Sequence, residues 1–149
     1  MMKKSFLMKK RYAVALIIGA AILAAGLGAQ TNKSVWDGVY TAEQAKRGQP
    51  IYVKECASCH SADLTGGESA PPLAGGQFMS NWEGLAASEL FKRMKESMPQ
   101  NKPGSLSGQE NADMLAYMLQ VNGFPAGKTE LARQPEALAS IMLESQKKK

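Results

Sequence analysis

The chain has 149 residues, enough for one ordinary domain with a targeting or linker segment and too few for two full-sized domains, which excludes repeat arrays and multi-domain enzymes. Eighteen Lys and Arg against 13 Asp and Glu give a net charge of +5, but Lys3, Lys4, Lys9, Lys10 and Arg11 precede the first acidic residue, so residues 30–149 carry 13 charges of each sign. The basic balance belongs to the N-terminus, and the body offers no footprint for nucleic-acid phosphates.

Residues 12–29 carry no charge and end on small residues before the polar Gln30, Thr31, Asn32 and Lys33. With the cations ahead of it, this is the layout of a signal peptide or of an N-terminal membrane anchor. Cleavage after Ala29 is weakened by Leu27, two residues before it, where a small residue is preferred; retention is weakened by an Ala/Gly-rich run at the lower edge of bilayer-spanning length. Either outcome exports the remainder, to the periplasm or to the outer face of the cytoplasmic membrane as a tethered domain. Residues 30–39 read as a linker or an ordered arm, and Trp36 favours a contact.

Thr41-x-x-Gln44 has the form of a capping box and opens a first helix running toward Tyr52 and the cysteines. Gly48 and Tyr52 share one face, where the missing side chain of Gly48 lets another helix approach closely; the alternative is a helix-end glycine beside an ordinary core tyrosine. Then comes Cys56-Ala57-Ser58-Cys59-His60, the attachment sequence for c-type haem. Two thiols separated by two residues meet one edge of a porphyrin from a single helical turn, and the histidine that follows is set to ligate the iron. A zinc site needs a fourth ligand that the cluster lacks, a Cys-x-x-Cys redox pair normally follows a strand, and a plain disulfide leaves the histidine unexplained. His60 is the chain's single histidine, so a second histidine ligand is excluded and the sixth iron ligand is another residue type or absent.

Residues 61–77 are rich in Gly, Pro and small polar residues and read as loop. Phe78, Trp82, Leu85, Leu90 and Phe91 give the next segment its apolar content, with a helix expected over 88–97 and Ser88 as its cap. Met98 precedes Pro99, which drives it out of helical geometry onto an extended stretch from which a thioether can reach a metal. Met94, one turn earlier, and Met79 are rivals, and methionines also serve as gap-fillers. Ser107-x-x-Glu110 is a second capping box, opening a helix to about residue 121 with Met114, Tyr117 and Met118 on one apolar face and Gly123 as a stop. Residues 135–146 suggest one more short helix, with Pro135 first, Glu136 in its first turn and a narrow apolar face of Leu138, Ile141 and Met142. It packs on the domain, docks a partner, or frays. No run alternates with period two, so the fold class is all-α.

Residues 40–126 resemble a class I monohaem cytochrome c domain, preceded by the leader (1–29) and the arm (30–39) and followed by a partly helical C-terminal extension (127–149). The resemblance implies three to five short helices around one haem c attached through Cys56 and Cys59, with His60 and Met98 as axial ligands, Met98 being favoured over Met94 by the family's Met-Pro pattern. It implies that the Pro71 carbonyl orients His60, that Leu73 lies against the ring, and that Trp82 meets a haem propionate; a stiff turn at Pro71 and a core-filling Trp82 are the plainer alternatives. It implies that Gly48 and Tyr52 cross the last helix at Met114 and Tyr117. The function it implies is a one-electron carrier between a dehydrogenase and a terminal oxidase or another cytochrome, with no catalytic residues of its own. Trp36-Asp37-Gly38-Val39-Tyr40 and Phe124-Pro125-Ala126-Gly127 are also similar to cytochromes that accompany quinoprotein dehydrogenases. Two other functions stay open at this point: a haem enzyme or gas binder with an open iron position, and a haem subunit of a larger dehydrogenase complex.

Overall fold

Helix α1 (Ala42–Glu55) begins where the Thr41 hydroxyl accepts the Gln44 backbone N–H at 3.1 Å, in a computed structural model that describes residues 32–148. The expected capping box is only half made. The fully buried Gln44 amide turns instead to the C-terminal segment, its Nε2 donating to Leu131 O at 3.1 Å and its Oε1 accepting Leu131 N at 2.7 Å. Four further helices follow: α2 (Ala57–His60), α3 (Gly75–Trp82), α4 (Ala87–Ser97) and α5 (Gly108–Val121). Among the described residues the two strands are β1 (Lys33–Ser34) and β2 (Ile141–Met142), paired in parallel with Lys33 opposite Ile141. The fold is all-α in class, as expected of a cytochrome c domain.

The core is built on the crossing of α1 and α5. A Cβ on Gly48 would stand 1.9 Å from Asp113 O, so the glycine is what allows the two backbones to meet. One turn on, the Tyr52 and Tyr117 rings are 5.6 Å apart. Arg47 spans the same seam with a two-pronged pair to Asp113, Nε to Oδ2 and Nη2 to Oδ1 each at 3.0 Å, and reaches Glu130 at 2.9 Å. Helix α5 starts with a complete capping box, Ser107 accepting Glu110 N while Glu110 accepts Ser107 N, and stops ahead of Gly123 at φ +81°.

Three further sequence-based expectations are corrected. Part of the segment read as loop over 61–77 is helix: α3 begins at Gly75 without a local cap, because Asn122 Oδ1 accepts the Gly75 N–H from the far end of α5 at 3.0 Å. Ser88 does not cap α4; the helix starts one residue earlier at Ala87, and Ser88 is buried within its first turn. Residues 135–146 are not a continuous helix. A 3-10 turn at Pro135–Leu138 leads into β2, because the backbone finds partners outside itself: Lys33 N donates to Ser140 O, Leu143 N to Leu85 O, and Gly84 N to Leu143 O, at 2.7 to 2.9 Å.

The arm and the extension thereby close on each other and on the helices. Trp36 donates its indole N–H to Glu144 O at 2.9 Å and meets Phe124 edge-on, and the Tyr40 hydroxyl donates to Phe124 O at 2.6 Å. Gly38 and Gly127 touch so closely that a Cβ on Gly127 would stand 1.9 Å from Gly38 O. Leu131, Leu138, Ile141 and Leu143 are all buried. The expected leader, residues 1–29, lies outside the described residues, and among those described no helix is long and apolar enough to cross a membrane.

Candidate haem-binding site

Helix α1 ends at Cys56, and the next turn is held by Cys59 N and His60 N, both donating to Cys56 O, at 3.1 and 2.9 Å. Both cysteines and the imidazole therefore leave the backbone within α2 and its cap. Tyr52 pins this turn from α1, its hydroxyl 2.6 Å from Ser61 O and 3.3 Å from His60 O. Neither cysteine is in a disulfide; Cys59 is exposed, whereas Cys56 is half-buried with Sγ 3.7 Å from Met114 Sδ, and burial pushes its thiol up to about 11.

The Gly/Pro-rich loop returns to His60. Gly66 N donates to His60 O at 3.0 Å, Leu73 N donates to the carbonyl of the buried Leu64 at 2.8 Å, and the loop presents Pro71 O 2.8 Å from His60 Nδ1. A carbonyl oxygen only accepts, so Nδ1 carries the proton and Nε2 is left with a lone pair for a metal. At the end of α4, Met98 N still donates to Met94 O at 3.0 Å, but Met98 itself is extended, at φ −124° and ψ 149°, and departs from the helix as a residue before proline should.

These parts surround one cavity of about 760 Å³, within the size range of cofactor clefts. Cys56, Cys59, His60, Pro71, Leu73, Trp82 and Met98 all line it. So do Met94, Met114, Met118 and Leu90, whereas Met79 does not. Four thioethers, two free thiols and an imidazole with one committed nitrogen suit a covalently held porphyrin in an apolar slot. Among the described residues no group of three or more His, Cys, Asp or Glu is arranged to hold a metal ion, which leaves the zinc alternative without its ligands. The redox-pair alternative fails on context, since Cys56 follows a helix. Asn81, Arg93, Glu55 and Lys102 also line the cavity, and no local signal in the sequence marks them: they come from three different helices and a loop, and only the tertiary fold brings them together.

The family model for cytochrome C oxidase, cbb3-type, subunit III matches residues 43–118, which contain the whole cysteine–histidine turn, the returning loop and Met98. The chain belongs to this family and is a class I monohaem cytochrome c. A covalent haem c goes with that membership, at the two cysteines spaced for it, and so does electron transfer as the general activity. Among solved structures, the sulfane dehydrogenase SoxCD from Paracoccus pantotrophus is similar to this cytochrome at 20% identity and a TM-score of 0.49, over 72% of this chain and 61% of that one. The cytochrome thus spans about three-fifths of that chain's length. No curated protein matches it. Its arm and everything after Met118 lie outside the family match.

Proposed function

We propose that this cytochrome is a periplasmic one-electron carrier with a single haem c, ligated by His60 and Met98, that accepts from a dehydrogenase and delivers to a terminal oxidase or another cytochrome. The observation that carries the reading is that His60, with Nδ1 committed to Pro71 O, and Met98, turned out of α4, line the same cavity as the two free thiols. Haem, when bound, supplies an iron that alternates between ferric and ferrous. The chain's own groups set how it does so. The Pro71 hydrogen bond fixes the imidazole's tautomer and orientation and makes Nε2 more basic. The Met98 thioether favours the ferrous state and so a comparatively high potential. Leu73, Trp82, Leu90 and Met118 give the slot apolar walls, which with the group bound would limit water there and so the reorganisation that accompanies each electron.

Two ligands from the chain leave no position for a reactant, and the sole histidine, committed on one side, leaves none for acid–base work on the other. This argues for a carrier over a haem enzyme or gas binder. A role as the docking subunit of a larger complex through the C-terminal extension is weakened because Leu131, Leu138, Ile141 and Leu143 are already buried within this chain. Export is supported by the cationic, then apolar, layout of residues 1–29.

Absorption spectroscopy tests the ligation. The weak far-red band of an iron–thioether bond should be present in the oxidised wild type and in Met94→Ala and absent from Met98→Ala. Persistence in Met98→Ala would move the ligand elsewhere.

A further inference from the structure

Glu55 closes α1 and immediately precedes Cys56. A glutamate there would ordinarily extend into water, yet its side chain is only 7% exposed and both oxygens are taken: Oε1 lies 3.0 Å from Lys54 Nζ and Oε2 2.8 Å from Lys102 Nζ. The two partners differ in kind. Lys54 is its sequence neighbour, 79% exposed, and such a contact is screened by solvent. Lys102 comes from the loop after α4, and it is the group that holds the Glu55 carboxyl below the usual range most strongly.

That loop, residues 98–107, begins at Met98. Its front end is fixed by Met98 N donating to Met94 O at 3.0 Å, and Lys102 N closes a turn on Pro99 O at 2.9 Å over the buried Pro99. Beyond these backbone bonds, the Lys102 ammonium is what joins the loop to the other side of the cavity, and Glu55, Lys102 and Met98 all line that cavity. We infer that Glu55 is a positioning residue for the distal ligand: through Lys102 it ties the Met98 loop to the turn that carries Cys56, Cys59 and His60. The inference deepens the His60/Met98 reading and rests on it. Removing Met98 from the iron requires the loop to swing outward, and the Glu55–Lys102 pair opposes that swing without touching the iron or its ligands.

Carbon monoxide takes the sixth position only when it is vacant, so in a six-coordinate ferrous cytochrome the limiting rate at saturating carbon monoxide is the rate at which Met98 leaves. With full-length holoprotein, Glu55→Gln and Lys102→Gln should each raise that limiting rate about threefold to tenfold, the range expected for a half-sheltered ion pair. The double variant should be no faster than the faster single, and Lys54→Gln, which removes the other cation from the same carboxylate, should keep the wild-type rate. The far-red band should persist in all four. Lys102 is remote in sequence from the attachment motif and the Lys54 side chain is 79% exposed, so Lys102→Gln and Lys54→Gln decide the matter even where Glu55→Gln impairs haem attachment. Wild-type rates in Lys102→Gln, or equal acceleration in Lys54→Gln and Lys102→Gln, would overturn the tie. Fast, unsaturable binding by the wild type would overturn the ligation reading itself, and this inference with it.

Discussion

Replacing Gly48 by alanine inverts the usual effect of that change. In a helix interior alanine is favoured over glycine by about 0.5 to 1 kcal/mol. At Gly48 the added methyl would stand 1.9 Å from Asp113 O, 2.4 Å from Asp113 C and 2.9 Å from Met114 N, all of them backbone atoms of α5 that have no rotamer to escape into. Ordinary carbon contacts begin above 3 Å, so α1 and α5 must part by roughly an ångström along a seam that also buries Ala45, Tyr52, Ala112 and Ala116. Overpacking of this severity costs about 3 kcal/mol, and crediting the helix preference leaves a net loss of about 2 kcal/mol, a factor of roughly 30 in the folding equilibrium. Gly76, the second residue of α3, has nothing within 4 Å of its would-be Cβ, and there the same substitution should stabilise by a few tenths of a kcal/mol, about 0.3. Denaturant titration of both holoproteins, followed by far-UV circular dichroism, measures the two signs. A midpoint for Gly48→Ala at or above wild type would refute the account of the crossing.

A domain of this size buries a limited core without its cofactor, so the Cys56→Ala, Cys59→Ala product should be largely unfolded; a native-like far-UV spectrum with cooperative melting would contradict this. The Glu110 carboxyl is held below its ordinary value by hydrogen bonds from the Ser107 hydroxyl and backbone N–H, so its contribution is present above the unfolded value of 4.5 and is lost as pH falls through the lower folded value. Glu110→Gln should therefore cost about 0.5 kcal/mol at pH 7, allowing for solvent screening, and the cost should shrink as pH falls below 4.5 through the lower folded value; a pH-independent difference would refute the assignment. Truncation after Gly127 uncovers the sites of Leu131, Leu138, Ile141 and Leu143 and should lower stability by on the order of 5 kcal/mol, an upper-end figure from burial. A truncated chain that melts with the full-length one would instead free the extension for docking.

The grouping of the candidate site's residues around one cavity was the most legible part of the sequence, because the chemistry that singled them out is local. Covalent attachment requires two thiols and an imidazole within one turn, and Met-Pro announces its own geometry. The α1–α5 crossing was legible through Gly48 and Tyr52 because a close helix contact needs a small residue in register with a large one. What escaped reading depends on partners far along the chain. Gln44 has the right spacing for a cap, yet its amide serves Leu131; Gly75 starts a helix because Asn122, 47 residues away, accepts its N–H. Ser88 has the right chemistry for a cap but lies two residues past the cap position, Ala86. Residues 135–146 have helix-like punctuation, and what diverts them is a two-residue strand pairing with residues 33–34, which is too short to leave a periodic trace.

The pairing of the arm with the extension also bears on how the domain can be recombined. The portion recognisable by kinship, residues 43–118, is smaller than the piece that the buried Gln44–Leu131 bonds, the Gly38–Gly127 contact and the Trp36–Glu144 bond weld into one body. Any chimera that grafts this haem module onto an electrode tether or a foreign reductase should be spliced ahead of residue 32 and behind residue 146, since a joint placed at the borders of the recognisable part would sever the fastenings on both sides.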